Sequence, residues 1–234
     1  MHRRFAITIA LSAVFMLAVL LLDRDGAIPQ LLLGGAVAIF VWISSRGTNV
    51  PVRQILWCVV VATTGEVVLS IGWGLYSYAH ATIPFYVPPG HGLFYFLAAY
   101  TASQPFLRGK EAMITRAVIV SGSVIAAVSL LQHHDTWGCL WWAGALALIH
   151  VSQNQLMLAS CFVYTMILEW VGTAIGNWRW TPHVPFVGLH SANPPAGVGI
   201  LYILLDLIVV AICGAREIKR RSPSPTYLSA SPFD

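Results

Sequence analysis

Long apolar runs separated by short polar segments dominate the chain. A membrane-spanning helix needs about 20 predominantly apolar residues. The runs predict eight spans, at about 5–22, 28–45, 54–78, 87–107, 115–132, 138–153, 156–177 and 194–213. The first run follows Arg3 and Arg4, but no small-x-small cleavage site comes after it, so we interpret it as a retained span. The sixth run is short and the gap 152–155 is tight, so the separation of spans six and seven stays open.

Composition supports a lipid-embedded protein. Hydrophobic residues make up 57% of the chain and charged residues 9%, and the mean hydropathy is +0.73. Soluble domains carry about 25% charged residues, so this chain has too few charges to cover a water-facing surface. We therefore expect an all-α polytopic bundle over residues 1–213. The Pro/Ser-rich segment 214–234 is expected to be a disordered cytoplasmic tail.

Positive charges give the spans an orientation. With the N-terminus inside, only Arg24 and Arg179 of the 13 basic residues fall in outer segments. The inner ones are Arg3, Arg4, Arg46, Arg53, Arg108, Lys110, Arg116, Arg216, Lys219, Arg220 and Arg221. Short cytoplasmic loops are enriched in Lys and Arg. We therefore expect a cell-membrane protein with both termini in the cytoplasm and an even number of spans, and no binding to nucleic acid.

Two stretches about 103 residues apart resemble each other, from Glu66 to Tyr95 and from Glu169 to Tyr202. Both contain a mid-span Glu, a Ser or Thr four residues later, Gly-x-aromatic-x-aromatic, a Pro-containing loop, Pro-Pro and a Tyr in the returning helix. Two one-residue slips are needed to align them. We expect two four-helix halves, about 1–112 and 113–213, related as parallel repeats by an axis along the membrane normal.

Three carboxyls fall inside predicted spans, at Glu66, Glu169 and Asp206. Ionisable groups at such depth are costly and normally face the bundle interior, where they mark functional sites. His91, at a helix start after Pro-Pro-Gly, is a candidate acid/base partner. We assign these four residues a catalytic role, with interhelical hydrogen bonding as the alternative.

Helical spacing places further polar residues on the same faces as these carboxyls. These candidate substrate-binding residues are Ser70 and Trp73 with Glu66, Thr173 and Asn177 with Glu169, Tyr202 with Asp206, and Tyr95 with His91.

Histidines and cysteines do not define a metal centre. Six histidines map to the outer side, but no HxxxH or HxxE spacing is present, and the four cysteines form no CxxC pair. We predict no metal ligand and no cofactor, while an outer-face metal-binding protein remains an alternative.

The stretch from Glu66 through Gly74-Leu-Tyr-Ser-Tyr78 to Val87-Pro88 resembles a pattern in membrane carotenoid hydratases and heterodimeric-type lycopene cyclases. The second copy, Glu169 to Trp180, looks like the same pattern with Trp in place of Tyr. Small integral-membrane terpene cyclases are also similar in size and in their use of intramembrane carboxyls. The resemblance covers about 30 residues per copy and lacks the lycopene cyclase Pro-x-Glu-Glu/Asp motif.

The resemblance implies an enzyme that acts on an isoprenoid or another lipid. A neutral carboxyl would protonate an alkene, aromatic faces would stabilise the carbocation, and a second carboxylate would accept a proton or orient water. Trp73, Tyr76, Trp178 and Trp180 would line the cavity. The alternative is a non-enzymatic membrane protein that binds or transports a lipid or small molecule. Membrane lipids are the expected partners, and the oligomeric state is not indicated.

Overall fold

The computed structural model describes residues 2–214, which form eight α-helices and one short β-ribbon. The helices are α1 His2–Leu21, α2 Ala27–Ser45, α3 Val52–Glu66, α4 Val87–Ala102, α5 Glu111–His133, α6 Thr136–Val151, α7 Gln155–Ile175 and α8 Gly199–Cys213. A π-helix, Val67–Trp73, continues α3, and a 3₁₀ turn, Pro105–Leu107, follows α4. The ribbon pairs β1, Tyr76–Tyr78, with β2, Trp178–Trp180.

Five helical segments are long and apolar enough to cross a membrane: α1, α2, α5, α7 and the continuous segment Val52–Trp73. Two others, α6 and α8, are apolar but shorter. Large apolar side chains such as Leu131 (79% exposed) and Val14 (67% exposed) cover the outside of the bundle. Because lipid is the solvent that such a surface requires, the chain is a multi-pass helical membrane protein.

Glycines end two helices earlier than the apolar runs predict. Gly74 (φ 75°) follows the π-helix and Gly176 (φ 91°) follows α7, both in the left-handed conformation that commonly ends a helix. The predicted third and seventh spans, 54–78 and 156–177, therefore stop short, and their aromatic ends belong to the ribbon. This ribbon and an isolated β-bridge between His183 and His190 are the departures from an all-α fold within residues 2–214. Of the predicted tail, all but Gly214 lies outside the described residues.

Four helices form the centre of the bundle. The helix α4 packs against both α3 and α7, and α8 packs against the same two helices. Nearly all of α4 is buried, from Val87 to Thr101. The helix α2 covers α4, α6 covers α8, and α5 packs against α6 and α7.

Hydrogen bonds show which helix ends lie together. The Arg4 guanidinium, at the start of α1, donates to the carbonyl of Arg46, just after α2, at 2.8 Å. Arg53, at the start of α3, donates to the carbonyl of Cys213, the last residue of α8, at 3.2 Å. The starts of α1 and α3 and the ends of α2 and α8 therefore share one end of the bundle.

Candidate functional site

The β-ribbon places four aromatic side chains beside the bundle interior. Tyr76 pairs with Trp180 and Tyr78 with Trp178, in antiparallel register. Side chains alternate between the two faces of a strand. In each strand the two aromatic residues are buried and the residue between them is exposed. One face of the ribbon is therefore entirely aromatic and carries four N–H or O–H donors.

Glu66, at the end of α3, accepts two hydrogen bonds from this face. Its Oε2 accepts from the Tyr76 hydroxyl at 2.8 Å and from the Tyr78 hydroxyl at 2.6 Å. Its Oε1 lies 3.4 Å from Nε2 of His91 on α4. Both side chains are buried. Each oxygen of this carboxyl thus has a defined polar neighbour.

Glu169, on α7, has a matching arrangement. Its Oε2 accepts from Nε1 of Trp178 at 2.8 Å and from Nε1 of Trp180 at 3.0 Å. The Trp178 indole lies directly over Gly172, where any larger residue would meet the ring. No residue in 2–214 makes a hydrogen bond to Oε1 of Glu169. One oxygen of this carboxyl is therefore held and the other is available to a ligand.

The His91 imidazole has a tautomer fixed by its backbone contact. Its Nδ1 lies 3.0 Å from the carbonyl oxygen of Val87, which can only accept, so Nδ1 carries the hydrogen. The ring also stacks on Tyr202 of α8, with centroids 4.7 Å apart and planes 12° from parallel. In neutral histidine Nε2 is then an acceptor. Nε2 of His91 and Oε1 of Glu66 are therefore close enough to share a proton.

Both carboxyls line one cavity of about 510 Å³ between α3, α4, α7 and α8. Its other polar and aromatic lining residues include His91, Tyr76, Tyr78, Tyr86, Trp178, Trp180 and Tyr202, and most of the rest are aliphatic. Ligand pockets commonly measure about 300–1,000 Å³ and combine an apolar wall with few polar groups. The cavity fits a small or medium-sized lipid-like molecule.

The cavity extends to the outer surface of the bundle between α3 and α8. Its lining includes Val60 of α3 and Val68 of the π-helix, both 55% exposed, together with Leu204 and Ile208 of α8, 41% and 47% exposed. These side chains belong to the apolar surface that faces lipid. A hydrophobic ligand can therefore reach the carboxyls from the bilayer without crossing water.

Two of the predicted site residues lie deeper than the cavity. Asp206 and Tyr95 are buried, one helical turn beyond Tyr202 and His91 respectively, and neither lines the cavity. Asp206 is thus separate from the two glutamates, although the sequence analysis grouped all three.

The side chains of the remaining four predicted residues make hydrogen bonds to backbone carbonyls or to another side chain of the fold. Ser70 donates to the carbonyl of Tyr76, and Thr173 donates to the carbonyl of Glu169. Trp73 donates from Nε1 to the carbonyl of Pro185 at 3.0 Å. Asn177 donates to the carbonyl of Leu20 and to Asp23. None of the four lines the cavity.

Sequence reasoning missed Tyr78, which makes the 2.6 Å hydrogen bond to Glu66. The available signal was the alternation Tyr-Ser-Tyr and Trp-Arg-Trp, a strand period that was interpreted as a helix end. It also missed Asp23, which accepts from the Tyr86 hydroxyl at 2.8 Å and from Asn177 at 3.0 Å. Burial and this hydrogen bond raise the pKa of Tyr86 well above its usual value. Asp23 thus fixes the start of α4, and with it His91.

Among residues 2–214, no group of three or more His, Cys, Asp or Glu side chains is placed to hold a metal ion. No protein-family model, curated protein or solved structure matches the chain. The class of protein is thus defined by fold and site alone: a multi-pass helical membrane protein with a carboxyl-lined apolar cavity.

Proposed function

We propose that the protein is an integral membrane enzyme that protonates a carbon–carbon double bond of a lipid, with hydration or cyclisation as the result. The observation that carries this proposal is the Glu66–His91 pair, whose Oε1 and Nε2 lie 3.4 Å apart at the wall of an apolar cavity that Glu169 also lines. A buried acid and a second carboxyl in one water-poor cavity are the groups that such chemistry needs.

The two carboxyls have different roles in this mechanism. The alkene π electrons take the proton of the Glu66–His91 pair, which forms a C–H bond and leaves a carbocation. In hydration, water bonds to the cationic carbon and loses a proton to Glu169. In cyclisation, a second double bond attacks the cation, and Glu169 removes a proton from an adjacent C–H bond. Oε1 of Glu169 is the oxygen free to accept it.

The aromatic wall supports the cationic step. Ring faces attract a nearby cation by about 0.5–2 kcal/mol, more when water is excluded. The rings of Tyr76 and Trp180 lie 4.6 Å apart at the cavity wall, and Tyr202 stacks behind His91. The hydroxyls of Tyr76 and Tyr78 also stabilise the Glu66 carboxylate that remains after proton transfer.

An isoprenoid is the proposed substrate class. Isoprenoids supply the electron-rich double bonds that this chemistry needs. They also partition into the bilayer, and from there they can enter the cavity through the opening between α3 and α8. The resemblance to membrane carotenoid hydratases and terpene cyclases supports the same class.

The proposal includes eight spans in two parallel four-helix repeats, with both termini cytoplasmic. The matched hydrogen bonds of Glu66 and Glu169 support the repeats, as does the antiparallel pairing of the two equivalent strands, which a two-fold axis through the ribbon produces. The basic residues near the shared end of α1, α2, α3 and α8 support a cytoplasmic location for that end.

A lipid-binding or transport protein is the second candidate. The opening of the cavity toward lipid favours it as well, because binding alone requires access but no proton transfer. The two candidates differ in the fate of the ligand: an enzyme releases a new molecule, whereas a binding protein returns the same one.

The test compares lipids from membranes that contain the wild type, Glu66→Gln or Glu169→Gln, incubated with isoprenoid extract in D₂O and analysed by mass spectrometry. We expect the wild type to give a product with one carbon-bound deuterium, either isomeric with its precursor or heavier by one water. Each Gln variant should lower product formation at least about 100-fold, since loss of a general acid or base costs roughly 10²–10⁴.

Glu111→Gln is the matched control, because Glu111 begins α5 and does not line the cavity. It should leave product formation unchanged, and all variants should express and insert alike. Unchanged ligand bound to the wild type, with no deuterated product, would favour the lipid-binding candidate. Full product formation by both cavity variants would rule out the acid/base mechanism.

A further inference from the structure

A layer of buried polar side chains lies beneath the cavity, and the proposed chemistry leaves it unexplained. We call it the polar layer; its members are Gln54 and Cys58 of α3, Tyr95 of α4, Cys161 and Thr165 of α7, and Asp206 of α8. All six side chains are buried: Gln54, Cys58 and Thr165 are 0% exposed, and Asp206 is 2% exposed. Each of the four central helices contributes at least one member.

Three polar atoms of this layer have no hydrogen-bond partner within residues 2–214. They are Nε2 of Gln54, Oγ1 of Thr165 and Oδ2 of Asp206. The Cys161 thiol lies beside both Thr165 and Asp206, but a thiol is a weak donor and leaves these oxygens unsatisfied. An unsatisfied buried polar group costs about 1–3 kcal/mol, so three in one layer indicate a ligand that supplies both donors and acceptors.

The layer connects the inner end of the bundle with the cavity. Gln54 is next to Arg53, whose guanidinium bonds the end of α8 at the inner end. The Tyr95 hydroxyl donates to Oε1 of Gln54 at 3.0 Å. Toward the cavity, Thr165 lies one turn before Glu169 on α7, and Tyr95 lies one turn after His91 on α4.

Several titratable groups face Asp206 from the packed helices. They are Cys58 from α3, Tyr95 from α4 and Cys161 from α7, with Cys213 of α8 near Tyr95. None of these groups is a basic residue. Asp206 therefore has no cationic partner among them, and water is the ligand that fits one unsatisfied donor, one acceptor and one hydroxyl.

We propose that Gln54, Thr165 and Asp206 bind a cluster of buried water that relays protons from the inner end of the bundle to the carboxyls of the cavity. Water molecules of this cluster accept from Nε2 of Gln54, donate to Oδ2 of Asp206 and bond with the Thr165 hydroxyl. Each turnover leaves an extra proton on Glu169 and removes one from the Glu66–His91 pair. The polar layer takes up the first proton, supplies the second and exchanges protons with the inner end of the bundle. The relay rests on the proposed function, whereas the water site does not.

X-ray hydroxyl-radical footprinting tests the water site, because radicals generated from bound water oxidise neighbouring side chains even when these are buried. We expect oxidation of Tyr95 and Cys161 in the purified protein in lipid, and none of Phe96, which is equally buried on α4. Thr165→Val and Gln54→Leu should each lower the labelling of Tyr95 at least about three-fold. The matched control Thr63→Val, at an exposed threonine whose hydroxyl bonds its own helix, should not change it.

Labelling of Tyr95 no stronger than that of Phe96 would overturn the water site, as would labelling that neither variant reduces. For the relay, Asp206→Asn should lower turnover about ten-fold with KM unchanged in the deuterium assay above. Full turnover in Asp206→Asn, with water labelling retained, would overturn the relay alone. Absence of any product from the wild type would count against the proposed function and would leave the footprinting result standing.

Discussion

Asp135 is fully buried between α5 and α6, and its carboxyl accepts four hydrogen bonds. The donors are the Ser129 hydroxyl at 2.8 Å and the backbone amides of Gly138, Ala192 and Ala196, at 2.9, 3.0 and 2.8 Å. It caps the start of α6 and also holds the loop that leads into α8. This one side chain therefore positions the helix that carries Tyr202 and Asp206.

We expect Asp135→Ala to lower the free energy of unfolding by roughly 3–5 kcal/mol, because it leaves three backbone amides and a hydroxyl without an acceptor. Thermal unfolding in detergent measures the effect. The control is Asp25→Ala, at an exposed aspartate whose carboxyl bonds only the neighbouring Gly26 amide. Equal stability of the two variants would contradict the structural role of Asp135.

At the scale of single residues, the sequence predicted the two glutamates but not the carboxyls that hold the loops. Glu66 and Glu169 are conspicuous because a carboxyl inside an apolar run has no solvation there. Asp23 and Asp135 lie in polar loops, where a carboxylate needs no explanation. Their burial arises only when Asn177 or the 192–196 loop folds over them, a tertiary contact that local sequence does not encode.

At the scale of elements, the π-helix accounts for one irregularity in the proposed repeat. Eight positions separate Glu66 from Gly74, whereas seven separate Glu169 from Gly176. The extra residue falls in Val67–Trp73, where i→i+5 hydrogen bonding takes up one residue more per turn than an α-helix. Each ribbon strand therefore begins two residues after its glycine and reaches its own glutamate.

Deleting Ile71, which is 69% exposed in the π-helix, should convert that segment to α-helix and leave the protein folded. The spacing from Glu66 to the glycine then equals that of the second half, where a regular α-helix delivers both indoles to Glu169. We expect a monodisperse protein in size-exclusion chromatography with nearly unchanged thermal unfolding.

The matched control is deletion of Val171 in α7, which has no extra residue to lose. That deletion should rotate Trp178 and Trp180 away from Glu169 and cost about 3 kcal/mol or more, the value of two hydrogen bonds to a charged group. Greater damage from the Ile71 deletion than from the Val171 deletion would contradict this account of the π-helix.

At the scale of the whole molecule, the apolar runs predicted the eight helices and their order. Short segments with charges, Gly or Pro separate most of the runs, and Ser, Gln and Asn separate the sixth from the seventh. They did not predict the ribbon, because three alternating residues are too few to distinguish a strand from a helix end. The two strands also pair across 102 positions, Ser77 with Arg179. Nor did they predict that Asp206 lies below the cavity, because helical spacing fixes a face but not a depth relative to other helices.

The orientation of the whole molecule gives the last prediction. With the basic residues inside, a reporter fused after Tyr227 should indicate the cytoplasm.

Cysteine labelling tests the same orientation in the loops. Cysteine at exposed Thr82, in the β1–α4 loop, should react with an impermeant maleimide in intact cells, and cysteine at exposed Lys110 should react only after permeabilisation. The wild type, with its four native cysteines, gives the background. An external reading at Tyr227 would contradict the cytoplasmic location of the C-terminus. Labelling of Lys110→Cys before permeabilisation would contradict the predicted orientation of the bundle. The ribbon, the Glu66–His91 pair and the opening between α3 and α8 would then have to be assigned to the opposite side of the membrane, and the polar layer would draw its protons from outside.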